Sequence, residues 1–284
     1  MKRYNILVPT DFSSESKHAF ELAKQLGHDR DVTINLVHFL KSPMPASFNV
    51  TGEVGLTRDT SATPAVIGAV QETDKKLSSW ANEAPSLEIK KTVEDDFFDS
   101  GIKSFVDKND IDLILMGTTG ETDWMDIFRG NHAEQAISMV GCPVITLKSD
   151  TTLEQLQNIA LAVDLDSDAY EGKVISKMMK MVDLFQAKLR LVYVDIGNRD
   201  LEELTERLKD FANRNKINYH SISAIRGIST EDGIKDFCSQ MKAGLVAILT
   251  NSSGGFFRWF EDSTAANLSK DAEIPVMSIN EENA

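Results

Sequence analysis

The chain repeats itself. Asn5-Ile6-Leu7-Val8-Pro9-Thr10-Asp11 lines up with Asn158-Ile159-Ala160-Leu161-Ala162-Val163-Asp164. Each is a short apolar run that ends in aspartate and is followed by a serine-bearing turn. Further pairs follow in the same order: Ile34–His38 with Leu189–Tyr193, Leu113–Met116 with Val246–Leu249, and Cys142–Leu147 with Ile274–Ile279. Matched strands in one order predict two copies of one domain. The polar stretch Ser149–Glu154 separates them, which gives domains at 1–149 and 155–284. Each copy is long enough to bury a core of its own.

Helical periods lie between the strands: Ser14–Leu26, roughly Pro64–Asn82 and Ser100–Asn109 in the first copy, Ala169–Phe185 and Asp200–Asn215 in the second. Strands that are apolar on both faces and alternate with helices predict an α/β fold. In each copy a parallel, doubly wound sheet carries helices on both faces. Open sheets of this kind bind ligands beyond the carboxyl ends of the strands, where the winding reverses. Asp11, His38 and Gly117 all end strands, so one crevice can collect them.

The strand Asp112–Met116 leads straight into Gly117-Thr118-Thr119-Gly120, and Gly130-Asn131 follows after nine residues. His132–Val140 then reads as a helix with Asn131 as its N-cap. Glycines let backbone N–H groups approach an anion, and a helix N-terminus adds unpaired donors and the positive end of its dipole. That is the geometry of a phosphate cradle. Spacing alone is equally met by an ordinary strand-to-helix loop.

Val8-Pro9-Thr10-Asp11, Met116-Gly117-Thr118-Thr119-Gly120 with Gly130-Asn131, and Gly141-Cys142-Pro143-Val144-Ile145 resemble a tandem universal stress protein, over nearly the whole chain. Nucleotide-binding members of that family carry G-x2-G-x9-G followed by Ser or Thr. The spacing here matches, and Asn131 stands in the Ser/Thr position. The resemblance implies a five-stranded parallel sheet per copy, of the adenine-nucleotide alpha-hydrolase type. It implies bound ATP, with Mg²⁺, in the first copy. Pro9, Thr10 and Asp11 would lie near the adenine or ribose, and the backbone around Val37 and His38 would line the adenine edge. Met116, Gly117 and Gly120 would wrap ribose and phosphates, and Gly130 and Asn131 would hold the phosphates. The function implied is that of a cytoplasmic ATP-binding regulator or sensor in a stress response. The copies would pair through their last strands into an intrachain pseudo-dimer, with a homodimer also open. The alternative is a nucleotide-free interaction module that works through its dimer surfaces.

Plainer roles stand beside these. Asp11 can cap the helix that begins near Ser14. His38 can be a half-buried polar residue without a ligand. Trp124 and Phe128 can pack their loop down, and Arg129 can be solvated. Replacing Gly117 by Val is expected to abolish nucleotide binding and leave the fold largely intact. The irregular stretch Lys41–Thr63 reads as either a lid or a surface loop.

In the second copy Leu249, Ser252, Asp262 and Ser263 stand where the first has Gly117, Gly120, Gly130 and Asn131. The glycines are gone, and Glu261-Asp262 would set negative charge against phosphates. This copy is expected to be a structural partner. Its aromatic cluster Phe256–Phe260 would pack between the copies or meet another protein. Asp164–Asp168 reads as a solvated acidic turn.

A net charge of -14 argues against nucleic acid or an anionic membrane as partner. Met1–Pro9 reads as a strand rather than a signal peptide. Cys142 and Cys238 read as buried thiols. No P-loop, GxGxxG after a strand, GxSxG elbow or HExxH helix is present. With no visible pair of nucleophile and base, the expectation is a binding protein without dedicated catalysis or a resident metal. Slow ATP hydrolysis is compatible with the resemblance.

Overall fold

The structure is a computed structural model that describes residues 3–40, 64–94, 98–117, 136, 139–147, 151–166, 172–250 and 274–280. The first half contains β1 (Tyr4–Pro9), α1 (Ser14–Asp29), β2 (Val32–Phe39), α2 (Pro64–Ala81), β3 (Glu88–Glu94), α3 (Phe98–Asn109), β4 (Leu113–Gly117) and β5 (Val144–Leu147). The second contains β6 (Asn158–Ala162), α4 (Gly172–Phe185), β7 (Lys188–Asp195), α5 (Leu201–Arg214), β8 (Ser221–Arg226), α6 (Thr230–Met241), β9 (Leu245–Thr250) and β10 (Val276–Asn280). The strands form one sheet in the order β3-β2-β1-β4-β5-β10-β9-β6-β7-β8. Every neighbouring pair is parallel except β5 with β10, which is antiparallel.

Alternation along each strand feeds two cores. Tyr4, Ile6 and Val8 of β1 join Phe20 and Leu26 of α1 on one face, and Leu7 joins Ile102 and Phe105 of α3 on the other. The first face also takes α2, α4 and α5, and the second takes α6 and the segment around Ala136 and Val140. Both faces are therefore covered, and this explains why the central strands are apolar throughout.

The repeat has a local cause at its first residue. Asn5 donates its side-chain amide to the carbonyls of Asn109 and Asp110 at the end of α3. Asn158 does the same for Met241 and Lys242 at the end of α6. Both helices end in a left-handed residue, Asp110 at φ 49° and Lys242 at φ 53°. The asparagine thus satisfies carbonyls that the helix leaves open. At the other ends, Ser13, Asp200 and Ser229 cap α1, α5 and α6 with their side chains.

The expected pairing of the last strands is present: Ile145 lies opposite Met277 across the β5–β10 seam. Pro143 and Pro275 stand just before those strands, where a missing N–H costs nothing. The seam is reinforced by bonds between α4 and the first half. The Tyr4 hydroxyl donates to Asp183 at 2.6 Å, Arg30 Nε donates to the Leu184 carbonyl at 3.2 Å, and Lys180 pairs with Asp112. Both cysteines are free and buried, and burial pushes each thiol up to about 12. Among the described residues no helix is long and apolar enough to cross a membrane. The stretch Lys41–Thr63 and the cluster Phe256–Phe260 lie outside the described residues, as does the helix expected over His132–Val140 apart from isolated positions.

Candidate functional site

In the first half the winding reverses between β1 and β4, since β2 and β3 lie to one side of β1, and β4 and β5 to the other. The carboxyl ends of both strands open there, and Pro9, Thr10 and Asp11 leave β1 at this point. Thr10 is fully engaged. Its N–H donates to the Val37 carbonyl at 2.8 Å, its hydroxyl meets Ser16 Oγ at 3.0 Å, and its carbonyl lies 2.6 Å from His38 Nδ1. A carbonyl can only accept, so Nδ1 carries the proton. Burial lowers the His38 pKa, against the raising effects of Thr10 and Asp11, and the imidazole is neutral at neutral pH.

Asp11 is exposed at the mouth of the crevice, and its carboxylate is fixed through one oxygen. Oδ1 accepts from the Ser13 N–H at 3.0 Å, the Ser13 hydroxyl at 2.5 Å and the Ser16 hydroxyl at 2.9 Å. Oδ2 accepts from no described residue. Partial burial raises the Asp11 pKa, but the Ser13 and Ser16 bonds outweigh it and hold the carboxyl below its usual range. The helix N-cap itself is Ser13, which accepts from the Ser16 N–H. Asp11 therefore serves the capping network, and its Oδ2 is unengaged among the described residues.

Between them Phe12 adopts φ 66°, a conformation that an aromatic residue rarely takes. Its ring packs 4.9 Å from the His38 ring and edge-on to Trp80 at 5.7 Å. These contacts hold the strained turn in place. Phe12 and Ser16 were not singled out as site residues from the sequence. The spacing Asp-x-Ser-x-x-Ser, which supplies all three donors to Oδ1, is the signal that points to Ser16.

Gly117 ends β4 directly against the first turn of α1. A Cβ there would lie 2.1 Å from the backbone carbon and oxygen of Glu15 and 2.7 Å from the Ser16 nitrogen. This glycine is demanded by the fold before any ligand is considered. The expectation that Gly117→Val leaves the fold intact is therefore incorrect. Met116 and Val37 are buried on the face of α3. The structure brings Thr10, Asp11, Val37, His38 and Gly117 to one edge, whereas Gly120, Gly130 and Asn131 lie outside the described residues. Among the described residues no group of three or more His, Cys, Asp or Glu side chains could hold a metal ion.

The second half reaches the equivalent edge differently. The ladder register sets Leu249 beside Ile279 as it sets Gly117 beside Leu147, so a buried leucine replaces the first glycine. The turn after β6 repeats the first half: the Asp166 N–H donates to Asp164 Oδ1 at 2.9 Å. Tyr193 stands where His38 stands, and it donates its hydroxyl to Asp166. Arg199 then bridges this edge. It bonds both oxygens of Asp166 at 3.1 and 3.0 Å, and Asp195 at 2.9 Å, and it also contacts the Tyr193 hydroxyl. Arg226 adds a bond to Asp195 at 3.2 Å. Asp166 is thus exposed, as read from the sequence, and it also pairs with Arg199, whose Nη1 meets both carboxylate oxygens.

A model of the universal stress protein family matches residues 3–148. The chain belongs to the universal stress protein family. A universal stress protein of Methanocaldococcus jannaschii is 30% identical over 152 residues, which cover 50% of this chain and 81% of the relative. Among solved structures, a universal stress protein from Archaeoglobus fulgidus has a TM-score of 0.65 at 17% identity and covers 98% of this chain and 96% of its own. A protein of unknown function from Pseudomonas aeruginosa PAO1 has a TM-score of 0.55 at 13% identity, covering 98% and 93%. At these identities the two structures speak to the fold alone. They extend along both halves of this universal stress protein, while the family model is met by the first.

Proposed function

We propose that this universal stress protein binds an adenine nucleotide, ATP, in its first half and acts as a nucleotide-responsive regulator or sensor in the stress response. The observation that carries the reading is the Asp11 carboxylate. It is exposed, is bonded through Oδ1 alone among the described residues, and stands at the switch point where Gly117 also ends its strand. A fixed, ionised carboxylate with a spare oxygen suits the hydroxyls of a ribose. Residues 1–149 would form the nucleotide-binding unit, with Gly117, Gly120, Gly130 and Asn131 along the phosphates. Magnesium would arrive with the nucleotide. Residues 155–284 would be the structural partner, with Arg199 bridging Asp166 and Asp195 at its equivalent edge.

Calorimetry with ATP tests this. The expected result is one nucleotide per chain, and a loss of affinity of about tenfold or more in Asp11→Ala, the scale of a charge-assisted hydrogen bond. Unchanged affinity in a variant that stays folded by circular dichroism, or two equivalent sites, would overturn it.

A further inference from the structure

At the amino ends of β6, β7 and β9 the second half holds a polar hollow of about 430 Å³, in the size range of small-molecule sites. Lys188, Arg190 and Lys242 line it, and among the described residues Glu154 is the one carboxylate on its wall. Three positive groups against one negative group is unexpected in a chain of net charge -14. Arg190 is half-buried and fixed, with Nε on Asn158 Oδ1 at 2.9 Å and Nη1 on Ser221 Oγ at 3.1 Å. Both partners are neutral, and Nη2 meets no described residue. None of the three cations forms an ion pair with a described carboxylate.

The repeat supplies an internal control. Lys188 pairs with Asn158 as Thr33 pairs with Asn5, and Arg190 pairs with Ala160 as Asn35 pairs with Leu7. Lys242 occupies the left-handed position after α6 that Asp110 occupies after α3. The same fold positions are therefore neutral or acidic in the first half. Neither the sheet nor the negative ends of the helices require cations there.

We propose that this hollow is an anion site for a small phosphorylated molecule. Arg190 would present its remaining N–H groups to the phosphoryl oxygens, and Lys188 and Lys242 would close on them from the rim. A guanidinium held in one plane matches such oxygens in pairs, and two ammonium groups complement a dianion better than a monocarboxylate. The hollow is larger than a bare phosphate needs, which leaves room for the body of a metabolite.

The site is independent of the nucleotide reading and is tested apart from it. Inorganic pyrophosphate is titrated into the full chain by calorimetry, with amide NMR of Asn158 and Gly244 as the locator. Expected are saturable binding at millimolar probe or below, shifts at those amides, and weakening as salt rises. Lys188→Thr with Lys242→Asp, which copies Thr33 and Asp110 of the first half, should weaken it by about tenfold or more, as should Arg190→Gln. Asp11→Ala should leave it unchanged. Arg190→Gln removes two internal hydrogen bonds, so the double variant at exposed positions decides if that protein does not fold. Equal affinity in the double variant, shifts confined to the Asp11 turn, or no saturable binding would each overturn the proposal.

Discussion

Even a methyl group on Gly117 would press into the backbone of Glu15, which cannot move without unwinding the first turn of α1. Gly117→Ala should cost about 3 kcal/mol or more, at the upper end of overpacking penalties, and thermal unfolding measures it. A midpoint within a degree or two of the parent would show that α1 yields. Ser278 in β10 is the opposite case. Its buried hydroxyl has no hydrogen-bond partner among the described residues. Ser278→Ala should therefore be neutral or stabilise by up to about 1 kcal/mol, seen as an equal or higher unfolding midpoint. A clear loss of stability would mean that the hydroxyl is satisfied after all. Asp11 and Gly117 were legible as a pair in the sequence because both end apolar runs. Their reasons were only half legible. That Gly117 is squeezed by α1, and that three donors converge on one oxygen of Asp11, depends on how α1 lies across β4.

The loop between β7 and α5 carries Arg199, the group that bridges Asp166 and Asp195 at the equivalent edge of the second half. Its bond to Asp195 is the leading cause holding that carboxyl below the usual range. In Asp166 partial burial works upward, and Arg199 and Tyr193 overcome it. Folded pKa values below the unfolded value of about 3.9 mean stability that is complete above about pH 5 and is lost as the pH falls through the folded values. Arg199→Ala should thus be less stable than the parent by about 1–2 kcal/mol at pH 7, with the gap closing towards pH 3. Unfolding midpoints across that range test it, and a pH-independent gap would assign Arg199 to packing alone. Asp195 and Arg199 are four residues apart, but Asp166 and Arg226 come from other segments and join them only when β6, β7 and β8 align. The edge strands β3 and β8 escaped notice for a related reason. Their burial is partial along most of their length, so Glu88–Glu94 and Ser221–Arg226 show no apolar run. The central strands, covered on both faces, could hardly be missed.

The seam between β5 and β10 turns two five-stranded sheets into one. Val144–Leu147 and Val276–Asn280 are buried along their whole length, and separation would leave each as an open apolar edge. The halves produced separately should associate with each other or with themselves, as seen by ultracentrifugation. Ile145→Pro, which removes a strand hydrogen bond from β5 and sets a proline ring opposite Met277, should weaken that association. Halves that stay monomeric and indifferent to each other would count against the seam as a source of stability. Because β5 and β10 run in opposite directions, the carboxyl ends of the first half and the amino ends of the second share one long border of the sheet. The Asp11 crevice opens on that border, and so does the Arg190 hollow. Residues 151–157, which lead into β6, run along it, with His18 of α1 bonded to Thr151 and Glu154 on the wall of the hollow. The opposite border carries the cluster of Asp166, Tyr193, Asp195 and Arg199. The chain is thus two-ended in the way a magnet is: one rim carries the Asp11 turn and the Arg190 hollow, and the other carries the Arg199 cluster.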